Sequence, residues 1–267
     1  MNWGVSMALR FAANIHFLYL EYDFLDRFKA AADDGFEGIE MTFPYDVTAE
    51  KTARAAAAAG LPIVEFNTPA GDLIPGKHRG HAPNPGEGDI FLKHIQKGAR
   101  YARDVGCRKV LTLSGLKRPN IAFADQRACY IDNLKRGAEL CASYDTKLLI
   151  EPNNVVDFPG YFLETMADVR AYIAAVDHPN LGAVFDFFHS QINEGDVTRC
   201  FSDSLDLIDH VQFGDNPGRH EPGTGELNFD HLFNVVENSG YTGWVGAEYF
   251  PSGASTHASL DWLRRRQ

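Results

Sequence analysis

The chain has 267 residues and a formal net charge of −11 at pH 7, which argues against nucleic acid and anionic membranes, because both bind basic surfaces. Its four cysteines (Cys107, Cys129, Cys141 and Cys200) show no C-x-x-C spacing and are typical of a reducing compartment. Because Arg10 interrupts the first apolar stretch, we expect neither a signal peptide nor a membrane helix there, and we expect a cytoplasmic protein.

Short β-rich runs alternate with helix-length segments along the whole chain. The predicted strands are Phe11–Asn14, Gly38–Phe43, Pro62–Asn67, Lys109–Leu113, Lys147–Glu151, Gly182–Asp186, His210–Phe213 and Trp244–Glu248. The predicted helices are Phe24–Ala32, Asp46–Gly60, Ile90–Val105, Gln126–Tyr144, Leu163–Val176 and Phe229–Ser239. In the second of them, Thr48 is the expected N-cap and Gly60 the expected stop.

Eight strand-then-helix units predict an α/β fold, a (β/α)8 TIM barrel that forms a single domain over residues 1–267. The main alternative is an open, doubly wound sheet that binds a dinucleotide. Its G-x-G-x-x-G fingerprint is absent after the first strand, and Gly223-Thr-Gly225 has no third glycine. The segment from Thr68 to Asp89 is too long for a simple connection. The sequence leaves open whether it is a functional lid or a mobile surface loop.

Four predicted strands finish on oxygen-bearing side chains, which are Glu151, Asp186, Gln212 and Glu248. The carboxyl ends of barrel strands converge on one face, so these side chains are expected to meet there. Three neighbouring carboxylates repel one another unless a cation or a proton lies between them. With the amide oxygen of Gln212 the set is all oxygen, which predicts one divalent metal, Mg²⁺ or Mn²⁺. Taken singly, each residue could instead be a helix cap or an exposed anion.

Two further residues lie close to these ligands in the sequence. His189 follows Asp186 by three residues and is placed to contact a bound ligand or a neighbouring carboxylate. Arg219 lies in the glycine-rich loop after Gln212, where it is free to clamp an oxyanion. A structural histidine and a surface arginine are the plainer interpretations of the same residues.

Several motifs closely resemble the hydroxypyruvate isomerase family, which belongs to the xylose isomerase-like barrels of sugar isomerases and epimerases. In the C-terminal half they are IEPNN (150–154), DFFHSQ (186–191), HVQ (210–212), PGRHEPGTGE (217–226) and GYTGWVGAEY (240–249). In the N-terminal half they include RFAAN (10–14), GFEGIE (35–40) and FNTPAGD (66–72). The sequence departs from the family at Val156, where Arg is frequent, and at Phe188, where Tyr is frequent.

The resemblance implies an aldose–ketose isomerase of a small hydroxy-oxo acid, such as hydroxypyruvate or a 2-oxo-tetronate-like acid. It implies that Glu151 and Glu248 are the acid/base pair as well as metal ligands, and that Asp186 and Gln212 complete the metal site. Proton transfer would pass through an enediolate whose charge the metal stabilises. Among the motif residues, His189, Arg219, Asn67 and Glu221 are the expected substrate-binding residues.

Three other functions remain open at this point. A 3-epimerase of a ketose or 2-oxo sugar acid would use the same residues and return the proton elsewhere. A catalytically silent sugar-acid binding protein on the same barrel is a second alternative, against which the intact carboxylates count. A metal-dependent DNA-repair nuclease shares the architecture, but the acidic charge and the lack of a His-rich metal set count against it. The expected partner is therefore a small molecule, with no nucleic acid and no membrane, and homo-oligomer formation is left open.

Overall fold

The computed structural model of the chain describes residues 8–73 and 79–266 and contains a closed, eight-stranded parallel barrel. Each strand pairs with the next one in the chain, and the first strand pairs with the last. The strands are Arg10–Asn14 (β1), Gly38–Met41 (β2), Ile63–Asn67 (β3), Lys109–Leu111 (β4), Lys147–Ile150 (β5), Leu181–Asp186 (β6), Ile208–Phe213 (β7) and Trp244–Ala247 (β8). The predicted barrel is thus confirmed, and the open sheet is excluded.

The helices cover the outside of the barrel. In the described residues they are Arg27–Asp33 (α1), Ala49–Ala59 (α2), Gly88–Val105 (α3), Phe123–Ala142 (α4), Met166–Val176 (α5), Phe187–Asn193 (α6), Val197–Ser204 (α7), Phe229–Asn238 (α8) and Asp261–Arg264 (α9). Thr48 caps α2 and Gly60 ends it in the left-handed conformation, as predicted. The sequence did not predict α6 and α7, because seven or eight residues are too few to show a helical period clearly.

Alternation along each strand divides the side chains between two environments. One set points outward into the large core between barrel and helices, where Phe11 packs edge-on against Phe233 and Trp262 at ring-centroid distances of 5.2 and 5.1 Å. The other set points into the barrel, where Leu111, Leu149 and Val184 form a separate small cluster. The barrel interior is therefore apolar at the level of these three residues of β4, β5 and β6.

The loop between β3 and α3 lies partly outside the described residues, at positions 74–78. Where it is described again, it is packed down onto the barrel: Gly80 donates a backbone hydrogen bond to Ala70 at 2.8 Å, and His81, Ala82 and Asn84 are buried. A Cβ on Gly80 would lie 2.2 Å from the carbonyl oxygen of Leu113, so only glycine fits this approach to the end of β4. This part of the loop is not a surface excursion.

None of the helices in the described parts of the chain is both long and apolar enough to cross a membrane.

Candidate active site

The four strand-end residues predicted as metal ligands all point into the mouth of the barrel. Glu151 directly follows β5, Asp186 ends β6, Gln212 lies in β7, and Glu248 directly follows β8. Each is buried, with no more than 8% of its surface exposed. The barrel thus brings together polar groups that are far apart in the sequence, at the end where such folds place their chemistry.

Within this group, Glu151 and Asp186 are close neighbours. One carboxylate oxygen of each and a ring nitrogen of His189 all lie within 4.8 Å of one another. Asn153 donates a hydrogen bond to Glu151 Oε2 at 3.0 Å, and the side chain of Asn14, at the end of β1, donates to Glu248 Oε1 at 2.9 Å. The sequence analysis did not identify Asn14 and Asn153 as parts of the site.

Arg219 lies between two of the carboxylates. Its Nη2 contacts Asp186 Oδ2 at 3.2 Å and also donates to Glu248 Oε2, while its Nε donates to the Glu248 carbonyl at 3.1 Å. Burial opposes its charge, but Glu248, Asp186 and Glu151 outweigh burial and raise the pKa of the guanidinium. The positive charge of Arg219 is therefore already committed to two site carboxylates.

Burial makes ionisation of the three acids costly. It raises the pKa of Glu151 well above its usual value, and the charges of Glu248 and Asp186 raise it further. Burial raises the pKa of Asp186 to about 6 and that of Glu248 to about 8, although Arg219 pulls both down. Carboxyl groups with such values hold and release protons near neutral pH, as acid/base catalysts must.

His189 presents an N–H group to the site. Its Nδ1 faces the side-chain amide of Asn154 at 2.8 Å, and that amide is the donor, because Asn154 Oδ1 accepts from the backbone of Val156 and Asp157. Burial and Arg219 lower the pKa of His189 well below its usual value, so the ring is neutral with its proton on Nε2. This Nε2 proton lies on the side of Asp186, whose Oδ2 is 3.6 Å away.

Two buried oxygens at the mouth have no hydrogen-bond partner among the described residues, and they are Glu151 Oε1 and Gln212 Oε1. A buried acceptor oxygen without a partner lowers the stability of the fold unless a bound ligand supplies the missing contact. Both belong to the predicted ligand set, and carboxylate and amide oxygens are the donors that Mg²⁺ and Mn²⁺ prefer. The residues present therefore fit a hard divalent cation.

The orientation of the Gln212 amide is set from inside the barrel. Its Nε2 donates to Glu40 Oε2 at 3.0 Å, and the other oxygen of Glu40 contacts His210 Nε2 at 2.5 Å. Because the amide nitrogen must face Glu40, the amide oxygen is the atom left free. The sequence did not reveal Glu40 and His210, although the i, i+2 spacing of His210 and Gln212 places them on one face of β7.

A third carboxyl group, Glu65, lies in the same polar layer on the strand next to Glu40. Glu40, Glu65 and His210 each offer an atom within 4.8 Å of the others, and neither Glu65 oxygen has a hydrogen-bond partner among the described residues. Burial raises the pKa of Glu65 well above its usual value, with further contributions from Glu40, Glu248 and Glu151. Burial and these neighbouring charges therefore favour the protonated form of Glu65, whereas Glu40 accepts a hydrogen bond from Gln212.

The Gly246→Ala variant tests the buried group, Glu40 with His210, that orients the Gln212 amide. A Cβ at Gly246 would lie 1.6 Å from Glu40 Oε1, and Glu40 has no free space because His210 and Gln212 hold it. We expect a loss of about 1–3 kcal/mol in the free energy of unfolding, measured by urea titration. The control is Gly253→Ala, whose new Cβ meets no atom within 4 Å. Equal stability of the two variants would show that Glu40 moves freely.

The loop that carries Arg219 is organised by one buried acid. The Asp215 carboxylate accepts backbone hydrogen bonds from Asn216, Gly223, Gly225 and Leu227 at 2.9–3.1 Å. Arg219 has a φ of 54°, and its guanidinium lies 5.0 Å from the ring of Phe188. The glycine-rich sequence thus forms a fixed support for the arginine and not a mobile loop.

The two remaining predicted residues are placed differently. Asn67 ends β3, and the strand alternation points it inward in the same layer as Glu151. The Glu221 carboxylate accepts from the backbone and side chain of Ser252 at 2.9 and 2.5 Å, so it joins two loops. Neither side chain has a described hydrogen bond to the four strand-end residues.

A cavity of about 700 Å³ opens above Arg219. Its lining includes Val156, Phe158, Phe188, Arg219 and Phe250. The two positions at which the sequence departs from the family pattern, Val156 and Phe188, therefore both face this space.

Comparisons with known proteins agree with this arrangement. The family model described as "Xylose isomerase-like TIM barrel" matches residues 28–266. A hydroxypyruvate isomerase of Escherichia coli is 41% identical over 255 residues, which cover 96% of this chain and 98% of that protein. A 2-oxo-tetronate isomerase of Cupriavidus necator is also 41% identical, over 96% of this chain and 97% of that protein. A solved structure from Brucella melitensis, described as an AP endonuclease of family 2, has a TM-score of 0.92 and 36% identity and covers 96% of this chain and 98% of its own.

The barrel fold, the side chains at its mouth and the similarity to known isomerases together define an enzyme of the aldose–ketose isomerase class. Such an enzyme is an intramolecular oxidoreductase. The chain belongs to the xylose isomerase-like TIM barrel family, with the hydroxypyruvate isomerases among its relatives. The resemblance found in the sequence motifs is thereby confirmed.

Proposed function

We propose that this enzyme isomerises a small hydroxy-oxo acid, with hydroxypyruvate and tartronate semialdehyde as the first pair to test and a 2-oxo-tetronate-like acid as the second. The observation that carries the proposal is the pair Glu151 and Glu248. They are buried, their pKa values are raised, and they stand on β5 and β8 at one barrel mouth. Relatives that match almost the whole chain are named as isomerases of hydroxypyruvate and 2-oxo-tetronate.

The two glutamates divide the proton transfer. One carboxylate takes the proton from the hydroxyl-bearing carbon of the substrate, which leaves an enediolate. The other side chain supplies a proton to the neighbouring carbon, and the hydroxyl proton passes to the former ketone oxygen, so a ketone becomes an aldehyde without an external oxidant. Because both groups are buried, water is kept from competing for the enediolate.

We propose that Glu151, Asp186, Gln212 and Glu248 hold one divalent cation, Mg²⁺ or Mn²⁺. When bound, it supplies positive charge that stabilises the developing enediolate. The His189 N–H donates to a substrate oxygen, and Arg219 keeps Glu248 and Asp186 in position beside the substrate. Asn67 points into the same mouth and is a further candidate for contact with the substrate, while Glu221 supports the loop that carries Arg219.

The experiment is a ¹H NMR assay of the purified protein in D₂O with Mn²⁺ removed before detection. Hydroxypyruvate is expected to give tartronate semialdehyde with deuterium at the carbon that receives the proton. A panel of free ketoses and longer 2-oxo acids is run in parallel.

The pattern of label separates the open alternatives. If deuterium appears only in compounds that keep their ketose skeleton, the enzyme is an epimerase. That outcome would overturn the isomerase proposal. A wild type that binds the acid and never exchanges a proton would establish a silent binding protein. With a net charge of −11, DNA binding is not expected, and a gel-shift assay checks this.

A further inference from the structure

The substrate proposed above carries a carboxylate. Apart from the proposed divalent cation, whose charge three carboxylates already neutralise, no side chain of the site described so far offers this group an uncommitted positive charge. Arg219 is already paired with Asp186 and Glu248, so a third anion would have to share its charge. His189 is neutral. A negatively charged substrate that approaches a mouth with three carboxylates needs positive charge of its own.

Arg79 meets this need at the rim of the mouth. Its guanidinium lies 4.4 Å from the ring centroid of Phe158, a residue that lines the cavity and whose ring is 5.8 Å from that of His189. Throughout residues 8–73 and 79–266, no carboxylate or carbonyl accepts a hydrogen bond from this guanidinium. Arg79 therefore presents five donors that a bound anion can use.

The position of Arg79 is fixed by its neighbours in the loop. The backbone N–H of Arg79 donates to Asp72, and that of Gly80 donates to Ala70. Gly80 is in turn wedged against the carbonyl of Leu113, at the end of β4. These contacts hold the arginine against the barrel mouth although it has a φ of 42°, in the left-handed region that side chains other than glycine rarely adopt.

The phenol of Tyr161 lies within reach of the charges of both Arg79 and Glu151. Burial raises the pKa of Tyr161, the Glu151 charge raises it further, and the Arg79 charge lowers it, so both charges act on the same hydroxyl group. Partial burial lowers the pKa of Arg79 itself, yet an arginine keeps its charge at neutral pH. A cation with restricted access to water binds an anion more strongly than a fully solvated one.

We propose that Arg79 binds the carboxylate of the substrate and so makes the enzyme specific for oxo acids over neutral ketoses; this inference rests on the proposed function. A guanidinium supported on an aromatic face pairs with both oxygens of a planar carboxylate. Arg219 then positions the acid/base glutamates, and Arg79 is the specificity-determining arginine.

The test compares hydroxypyruvate with dihydroxyacetone, in which a neutral CH₂OH group replaces the carboxylate. In Arg79→Met, the KM for hydroxypyruvate is expected to rise about 30-fold with little change in kcat, because one charge-assisted pair is lost. Turnover of dihydroxyacetone, or its Ki as a competitor of hydroxypyruvate, is expected to stay unchanged. Arg79→Lys keeps the charge and is expected to recover part of the affinity.

Arg10→Met is the matched control. Arg10 also lies 4.4 Å from an aromatic ring, that of Trp244, but at the start of β1 and hence at the opposite end of the barrel. It is expected to keep the KM of the wild type. A 30-fold rise for Arg79→Met with both compounds, or no rise with either, would overturn the role of Arg79. A wild type that fails to isomerise any oxo acid would instead overturn the proposed function.

Discussion

Replacement of Glu248 or Glu151 by glutamine is expected to lower kcat by about 10³-fold, because an amide cannot carry the transferred proton. Glutamine preserves the volume of the side chain and one oxygen that can act as a ligand. Mn²⁺ binding is therefore expected to weaken far less than kcat falls, and both are measured on the same preparations. The kcat of the double variant is expected to be only slightly lower than that of the slower single variant, since the two groups act in one sequence of steps.

The two single variants also distinguish the roles of the glutamates. The variant that lacks the base cannot remove the substrate proton, so the C3 hydrogens of hydroxypyruvate are expected to stay unexchanged in D₂O. The variant that lacks only the acid is expected to continue that exchange while product formation stops. Exchange in both variants at the wild-type rate would exclude these two residues as the acid/base pair.

Glu139→Gln is the control for this pair. Glu139 is exposed on α4, away from the barrel mouth, and the same chemical change there is expected to leave kcat within about twofold of the wild type. Thermal melts of all variants separate loss of catalysis from loss of folding. A fall of similar size in the control would mean that the assay reports stability.

The fold and the centre of the site could be predicted because both depend on local patterns. Alternating strands and helices specify the barrel, and closure then forces the ends of β5 to β8 together whatever the loops between them contain. Glu151, Asp186 and Glu248 each come directly after apolar strand residues, which makes an ionisable side chain conspicuous. No other knowledge of the structure is needed to bring these positions to one mouth.

The supporting residues could not be predicted, because their partners are distant in the chain. Glu40 is one polar residue inside a short strand, and only barrel closure shows that it faces His210, 170 positions later. Asn14 likewise meets Glu248 only when β1 pairs with β8. Arg219 was predicted to clamp a substrate anion, and only the structure reveals that Asp186 and Glu248 already pair with it.

Metal binding by this site is expected to depend steeply on pH. In the metal-free protein, burial raises the pKa of Glu248 to about 8, so this carboxyl group is protonated at pH 6, and burial raises the pKa of Glu151 in the same direction. A divalent cation requires carboxylates and must displace these protons. Binding therefore strengthens as pH rises towards 8 and weakens as pH falls, the sign expected for acids whose pKa is raised.

Each proton displaced changes the apparent affinity by about tenfold per pH unit, so the Kd for Mn²⁺ is expected to be at least about 10²-fold weaker at pH 6 than at pH 8. Titration calorimetry in two buffers of different ionisation enthalpy counts the protons released. In Glu248→Gln, one fewer proton is expected to be released on Mn²⁺ binding. The slope of log Kd against pH is expected to be correspondingly smaller. A Kd that stays constant between pH 6 and 8, with no proton release, would mean that the carboxyl groups are already ionised or that the cation binds elsewhere. Since one of these carboxylates must be free of its proton to act as the base, the pH profile of kcat/KM is expected to rise over this interval as well.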